Sequence, residues 1–165
     1  FFFQMNYIIS SRSTEDTIAM GIAISSGITK KGIVIALHGD LGSGKTCFVK
    51  GLAKGMGWEG TVTSPTFTLI HEYRTGKVLF HIDLYRLEKI DDLFAIEMED
   101  CFHDGDITAV EWAEKAALYL PEHTIHFFFR ITEKDRERII EIKNWPETIV
   151  FPSEMFLFNA GVRET

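Results

Sequence analysis

Eight consecutive residues constrain this chain more than any others. Gly39-Asp40-Leu41-Gly42-Ser43-Gly44-Lys45-Thr46 fits G-x-x-x-x-G-K-[ST] at every fixed position. The apolar run Ile33-Val34-Ile35-Ala36-Leu37 ends just before it and reads as a buried central strand. Lys45 to Met56 reads as the following helix, ended by Gly57. Each position then has a physical task. The glycines allow backbone angles and close approaches that a Cβ forbids. The loop turns several N–H groups inward as an anion nest, and the helix start adds roughly half a positive charge. Lys45 is expected to reach the β- and γ-phosphates of a nucleotide, and the Thr46 hydroxyl to ligate a bridging Mg²⁺. The expected nucleotide-binding residues are Asp40, Leu41, Gly42, Ser43, Gly44, Lys45, Thr46 and Cys47.

A phosphate loop also needs carboxylates for the metal and for the attacking water. Two apolar strands end in acids: Val78-Leu79-Phe80-His81-Ile82-Asp83 and Ile107-Thr108-Ala109-Val110-Glu111. Ligand sites in open α/β sheets lie at the carboxyl ends of strands, so both acids face the phosphates if these strands neighbour the loop strand. The expected metal residues are Thr46, Asp83 and Glu111. Lys45 and Glu111 are the expected catalytic pair, with Glu111 either a metal ligand or the base. Between the loop helix and the next strand, Thr63-Ser64-Pro65-Thr66-Phe67 offers hydroxyls on a stiffened backbone. Ser64 and Thr66 are the expected switch residues. His81 reads as a structural histidine with its hydrogen bonds satisfied.

The remaining chain sets the frame. Asn6 to Ser10 reads as a strand and Ser13 as a helix N-cap with Glu15 and Asp16 in the first turn. Ile18, Ala19, Ile22 and Ala23 supply the apolar face of that helix, which Gly27 closes. Thr68 to Arg74 and Lys77 to Asp83 read as a hairpin around Thr75-Gly76. Asp91 to Cys101 reads as a helix with Leu93, Phe94 and Met98 inward, and Ala113 to Tyr119 as a shorter one stopped near Pro121. Thr124 to Ile131 and Arg136 to Ile142 read as a second hairpin. Strands alternating with helices give an α/β fold with a mostly parallel core sheet and antiparallel edge hairpins. From Pro146 onward only Phe151, Phe156 and Phe158 stand out, as residues that either dock on the body or fray.

Composition narrows the partners. The 165 residues are 45% hydrophobic and 25% charged, with a net charge of −7, and read as one globular domain spanning 1–165. An acidic chain is a poor lone binder of nucleic acid, so any RNA is expected to come through a partner. The longest clean apolar stretches fall far short of a membrane span. Phe1-Phe2-Phe3 has no basic segment before it and is not read as a signal peptide; Met5 is the expected start. Cys47 and Cys101 read as reduced cytoplasmic thiols, and the six histidines show no zinc-ligand spacing.

GDLGSGKT, TSPTF, HIDLYRL (His81 to Leu87) and VEW (Val110 to Trp112), in this order and spacing, resemble the bacterial TsaE (YjeE) family over about Ser10 to Ile142. The resemblance implies a P-loop NTPase-like three-layer sandwich with a modified strand arrangement. It implies ATP and Mg²⁺ as ligands and TsaD and TsaB as partners in threonylcarbamoyladenosine modification of tRNA, where hydrolysis is thought to reset the transferase. The family's metal and catalytic positions fall on Thr46, Asp83 and Glu111, and its switch on Ser64 and Thr66. Tyr85 and Arg86 then lie near the nucleotide or at the partner surface, against core packing and a salt bridge as the plain alternatives. Trp112 is either beside the nucleotide or core. Two departures stand out: Ser43 where Ala is commoner, and Ala113 where Pro is usual.

A small-molecule or nucleotide kinase is the main alternative. Such enzymes clamp the phosphoryl group with lid arginines, whereas Arg130, Arg136 and Arg138 fall on a predicted hairpin. A GTPase is disfavoured by the missing N-K-x-D segment, and a purely structural nucleotide module by the two acids. No arginine finger is evident near the loop, so the chain alone is expected to turn ATP over slowly.

Overall fold

A computed structural model describes residues 4–28, 32–65, 67–89, 98–103, 105–134, 136–154 and 163–164. Eight strands form one sheet in the order β3-β4-β5-β2-β6-β7-β1-β8. They are β1 (Gln4–Ser11), β2 (Ile33–His38), β3 (Ile70–Arg74), β4 (Val78–Asp83), β5 (Ile107–Glu111), β6 (Ile125–Ile131), β7 (Arg138–Pro146) and β8 (Arg163–Glu164). The centre, β4-β5-β2-β6, is parallel throughout. β3 at one edge and β7, β1 and β8 at the other pair antiparallel. The expected α/β sandwich with antiparallel edges is therefore present, and β1, the first strand in sequence, joins the far antiparallel side.

β2 reads as an unbroken apolar run because both of its faces are covered. Ile33, Ile35 and Leu37 join the larger core cluster under α1 (Thr14–Gly27) and α2 (Lys45–Gly55). Ala36 joins a second cluster with Phe80, Ile82, Val110, Ala113 and Ala116 on the opposite face. These two cores make the layers of the sandwich.

Ser13 caps α1 as expected, its Oγ accepting from the Asp16 N–H at 3.0 Å. The buried face of α1 differs from the expected one. Thr17, Met20, Gly21, Ala23 and Ile24 are buried, whereas Ile18, Ala19 and Ile22 are half-buried. The reason is close backbone contact between the helices. A Cβ on Gly21 would strike the Phe48 carbonyl oxygen, and one on Gly51 the Ile18 carbonyl oxygen. Small residues therefore form the α1–α2 seam and the larger aliphatics flank it.

On the other face, Ala113–Tyr119 is a 3₁₀ segment rather than an α-helix, and Ala116 is non-helical within it. It is squeezed between Trp112, which is left-handed at φ 57°, and the stop at Pro121. Of the expected helix from Asp91 to Cys101, only the 3₁₀ turn Met98–Cys101 falls among the described residues, with Met98 buried; Leu93 and Phe94 lie outside them. β7 continues to Pro146, past its expected end at Ile142, because β1 supplies a partner along its length. Of the two alternatives Phe151 docks, its ring stacked 3.7 Å from that of Tyr7; Phe156 and Phe158 lie outside the described residues. No helix among the described residues is long and apolar enough to cross a membrane.

Candidate functional site

The loop after β2 turns on glycines. Gly39, Gly42 and Gly44 have φ of 142°, 76° and 109°. At Gly39 the space is also closed, since a Cβ would lie 2.6 Å from the Phe129 carbonyl oxygen. Lys45 is 4% exposed. Its Nζ donates to the carbonyls of Gly39 and of Asp40 (3.0 Å) and lies 4.3 Å from the Trp112 ring centroid. Burial lowers its pKa below the usual lysine value, against the opposing pull of Glu111, Glu114, Asp83 and Asp40.

Strand register brings the acids to this loop. Glu111 ends β5 level with Leu37 of β2 on one side and Asp83 of β4 on the other. Both acids are nearly buried, at 3% for Glu111 and 8% for Asp83. Glu111 Oε1 accepts from Thr46 Oγ1 at 2.8 Å and lies 2.8 Å from His81 Nε2. Asp83 accepts from the Ser64 hydroxyl and from the Tyr85 N–H at 2.9 Å.

A cleft of about 300 Å³ joins these groups. Leu41 through Cys47 line one wall, and Ser64, Asp83, Glu111, Tyr85, Arg86 and Trp112 the other. Asp40, expected with the loop residues, is exposed outside this wall and contributes its carbonyl to Lys45. Thr66 lies outside the described residues. Tyr85 and Trp112 pack ring to ring at 5.1 Å, and the Arg86 guanidinium sits 4.9 Å from the Phe67 ring centroid. Lys115 holds the turn after Asp83, donating to the carbonyls of Tyr85 (2.6 Å) and Leu87 (3.2 Å).

Arg86, expected near the nucleotide or at the partner surface, lines the cleft. Two further arginines stand near the loop without a local signal in the sequence. A smaller cleft of about 120 Å³ on the far side of the loop is lined by Ser13, Thr14, Thr17, Arg136 and Arg138 with Gly42, Gly44 and Cys47. Arg138 Nη2 donates to the Gly42 carbonyl at 3.3 Å. Arg130 instead pairs with Glu141 at 2.7 Å on the surface. Only the sheet order, which sets β6 beside β2, brings this hairpin to the loop. His81, expected as a satisfied structural histidine, is the other difference. It is fully buried and meets Glu111, and its alternate position on β4 level with Ala109 was the available signal.

A glycine nest capped by a helix, a buried lysine and two strand-end carboxylates can hold a phosphorylated anion with a hard cation. On a three-layer parallel-centred sheet, these features define the class of P-loop NTPase-like α/β proteins. The family model described as threonylcarbamoyl adenosine biosynthesis protein TsaE matches residues 11–140, and the chain belongs to that family. It is 41% identical over 121 residues to the tRNA threonylcarbamoyladenosine biosynthesis protein TsaE of Treponema pallidum, covering 73% of this chain and 89% of that one. The TsaE of Haemophilus influenzae is 42% identical over 115 residues (69% and 72%), and that of Bacillus subtilis 37% over 126 (76% and 78%). The crystal structure of YdiB from Bacillus subtilis superposes with a TM-score of 0.66 at 28% identity, covering 96% of this chain and 97% of that one.

Proposed function

We propose that this chain is a Mg²⁺-dependent ATPase, the accessory subunit that works with TsaD and TsaB in the cytoplasm to form threonylcarbamoyladenosine in tRNA. The observation that carries the reading is the hydrogen bond from Thr46 to Glu111 across the cleft. It ties the hydroxyl of the phosphate loop to an acid on the adjacent strand, the relation a P-loop hydrolase uses beside its metal.

The donor set is a hydroxyl and two carboxylates, all hard oxygens, and so fits magnesium. Among the described residues no group of three or more His, Cys, Asp or Glu could cage a metal; magnesium characteristically completes its shell with phosphate oxygens and water. When bound, magnesium would be held by Thr46, Asp83 and Glu111 and would neutralise negative charge on the phosphates. Thr46 spends its one proton on Glu111, so its lone pairs stay available to the cation. Lys45 supplies a fixed positive charge, and an anion in the cleft would favour its charged form against the burial that now opposes it. Glu111 accepts on one oxygen from the loop and can accept on the other from a water, as a base or as a support for the metal shell. Asp83 joins the same end of the sheet to Ser64, which makes the segment before β3 responsive to what occupies the cleft.

At a net charge of −7 the chain alone should show no measurable tRNA affinity at physiological salt, and tRNA is met through the partners. Turnover by the isolated chain is expected to be slow and to rise when TsaD and TsaB are added. The decisive experiment measures ATP binding and hydrolysis for the wild type, Lys45→Ala, Thr46→Ala and Asp83→Ala across a magnesium titration, beside a pull-down with TsaD and TsaB. Lys45→Ala should weaken nucleotide binding, and the other two should change the magnesium requirement. Transfer of the γ-phosphate to an acceptor other than water would replace this reading with a kinase.

A further inference from the structure

His81 has more contact with the chemistry than a core residue requires. It is 0% exposed and sits at mid-sheet on β4, one strand beyond Glu111. Its Nε2 lies 2.8 Å from Glu111 Oε1, and its Nδ1 is buried with no hydrogen-bond partner among the described residues. The Tyr73 ring stacks on it at 6.5 Å, and the Tyr73 hydroxyl donates to the Thr63 carbonyl at 3.2 Å, one residue before Ser64. A fully buried imidazole with one nitrogen unpartnered among the described residues points to a task for the other nitrogen.

Resting on the ATPase reading above, we propose that His81 is a positioning residue for Glu111. An ionised carboxylate only accepts hydrogen bonds, so the contact requires the tautomer with the proton on Nε2. Thr46 and His81 then donate to the same oxygen, Oε1, from opposite sides: one from the phosphate loop and one from the next strand. Two donors on one oxygen fix the carboxylate plane. They leave Oε2 without a partner among the described residues, in a side chain that lines the cleft. That oxygen is the one presented to the metal shell or to the attacking water. The Tyr73 ring lies beside the imidazole and its hydroxyl holds the segment leading to Ser64, so the surroundings of His81 and the path of that segment share one residue.

The test compares wild type, His81→Leu and His81→Gln in the full chain. Gln retains an N–H donor near the place of Nε2 and Leu does not. Equilibrium affinity for a fluorescent ATP analogue is measured with magnesium and with EDTA, alongside kcat, KM and the melting temperature. In the wild type, magnesium should tighten binding. His81→Leu should lose about tenfold of that tightening with unchanged affinity in EDTA, and its kcat should fall more than KM rises. His81→Gln should restore most of both. If folded His81→Leu keeps the full magnesium effect, or if His81→Gln is as impaired as His81→Leu, the assignment to His81 is overturned and the ATPase reading stands. A wild type indifferent to magnesium overturns the ATPase reading itself. Should His81→Leu fail to fold, ¹⁵N NMR of the wild-type imidazole decides: the Nε2–H tautomer supports the proposal, and the Nδ1–H tautomer overturns it.

Discussion

The two flanks of the phosphate loop solve opposite problems with the same parallel pairing. On the β5 side, charge is buried and held by donors: Glu111 by Thr46 and His81, and Asp83 by Ser64 and the Tyr85 N–H. On the β6 side, the half-buried imidazoles of His38 and His126 favour the neutral form. His38, the residue before Gly39, stacks 4.5 Å from Phe128, and its Nε2 lies 3.0 Å from His126 Nδ1. Burial lowers the pKa of both imidazoles; for His38 the neighbouring His126 adds to this and Glu114 opposes it, and for His126 Lys143 adds to it. Desolvating a charge is tolerated where the charge has work to do and several donors compensate it, and elsewhere the fold selects the uncharged form.

The sharpest way to break this contrast is at Glu111. Glu111→Ala should leave ATP affinity in EDTA largely intact, lose at least the magnesium tightening that His81→Leu loses, and lower turnover by about a hundredfold or more, measured under saturating nucleotide. Next comes Ser64→Ala, which takes a hydroxyl from a buried carboxylate. Losing a hydrogen bond to a charged group is worth about 1.5–3 kcal/mol, and turnover and stability to urea should both report it. His126→Phe on the opposite flank should leave turnover nearly unchanged and act on pH dependence instead. Both imidazoles have folded pKa values below the ordinary 6.5, so the unfolded chain takes up protons first. Stability is therefore full above about pH 6.5 and falls as the pH drops through the lower folded values; denaturation curves at pH 8 and pH 5.5 should differ less in His126→Phe than in wild type. The smallest effect belongs to Ser43, whose buried hydroxyl has no partner among the described residues. Ser43→Ala removes an unanswered polar atom and should raise stability by up to about 1 kcal/mol in the same assay.

What the sequence made legible followed from locality. The phosphate loop is contiguous, β2 announces its two-sided burial through five apolar residues in a row, and Ser13 caps α1 within three residues of its partner. The strand-end acids could be read because period and terminus are local, and the parallel register then set them side by side. What escaped was set by sheet order and by backbone approach. Nothing local says that β1 pairs with β7 from the far end of the chain, or that the Arg138 side chain reaches Gly42. Aliphatic spacing points to the wrong face of α1 because it is blind to the fit of Gly21 against α2. Alternation on a strand reports that His81 is buried and is silent about which neighbour its ring nitrogen meets.

The join between α1 and α2 has a mechanical consequence. Where main chain meets main chain at Gly21 and Gly51, no side chain can rotate aside to let the helices slide. The two cylinders behave as a single plank, one end carrying Ser13 and the other flank starting at Lys45. Any opening of the cleft is then diverted away from the plank and into the connector from Gly57 to Ser64, which is fastened at Tyr73 and Asp83 rather than welded along its length.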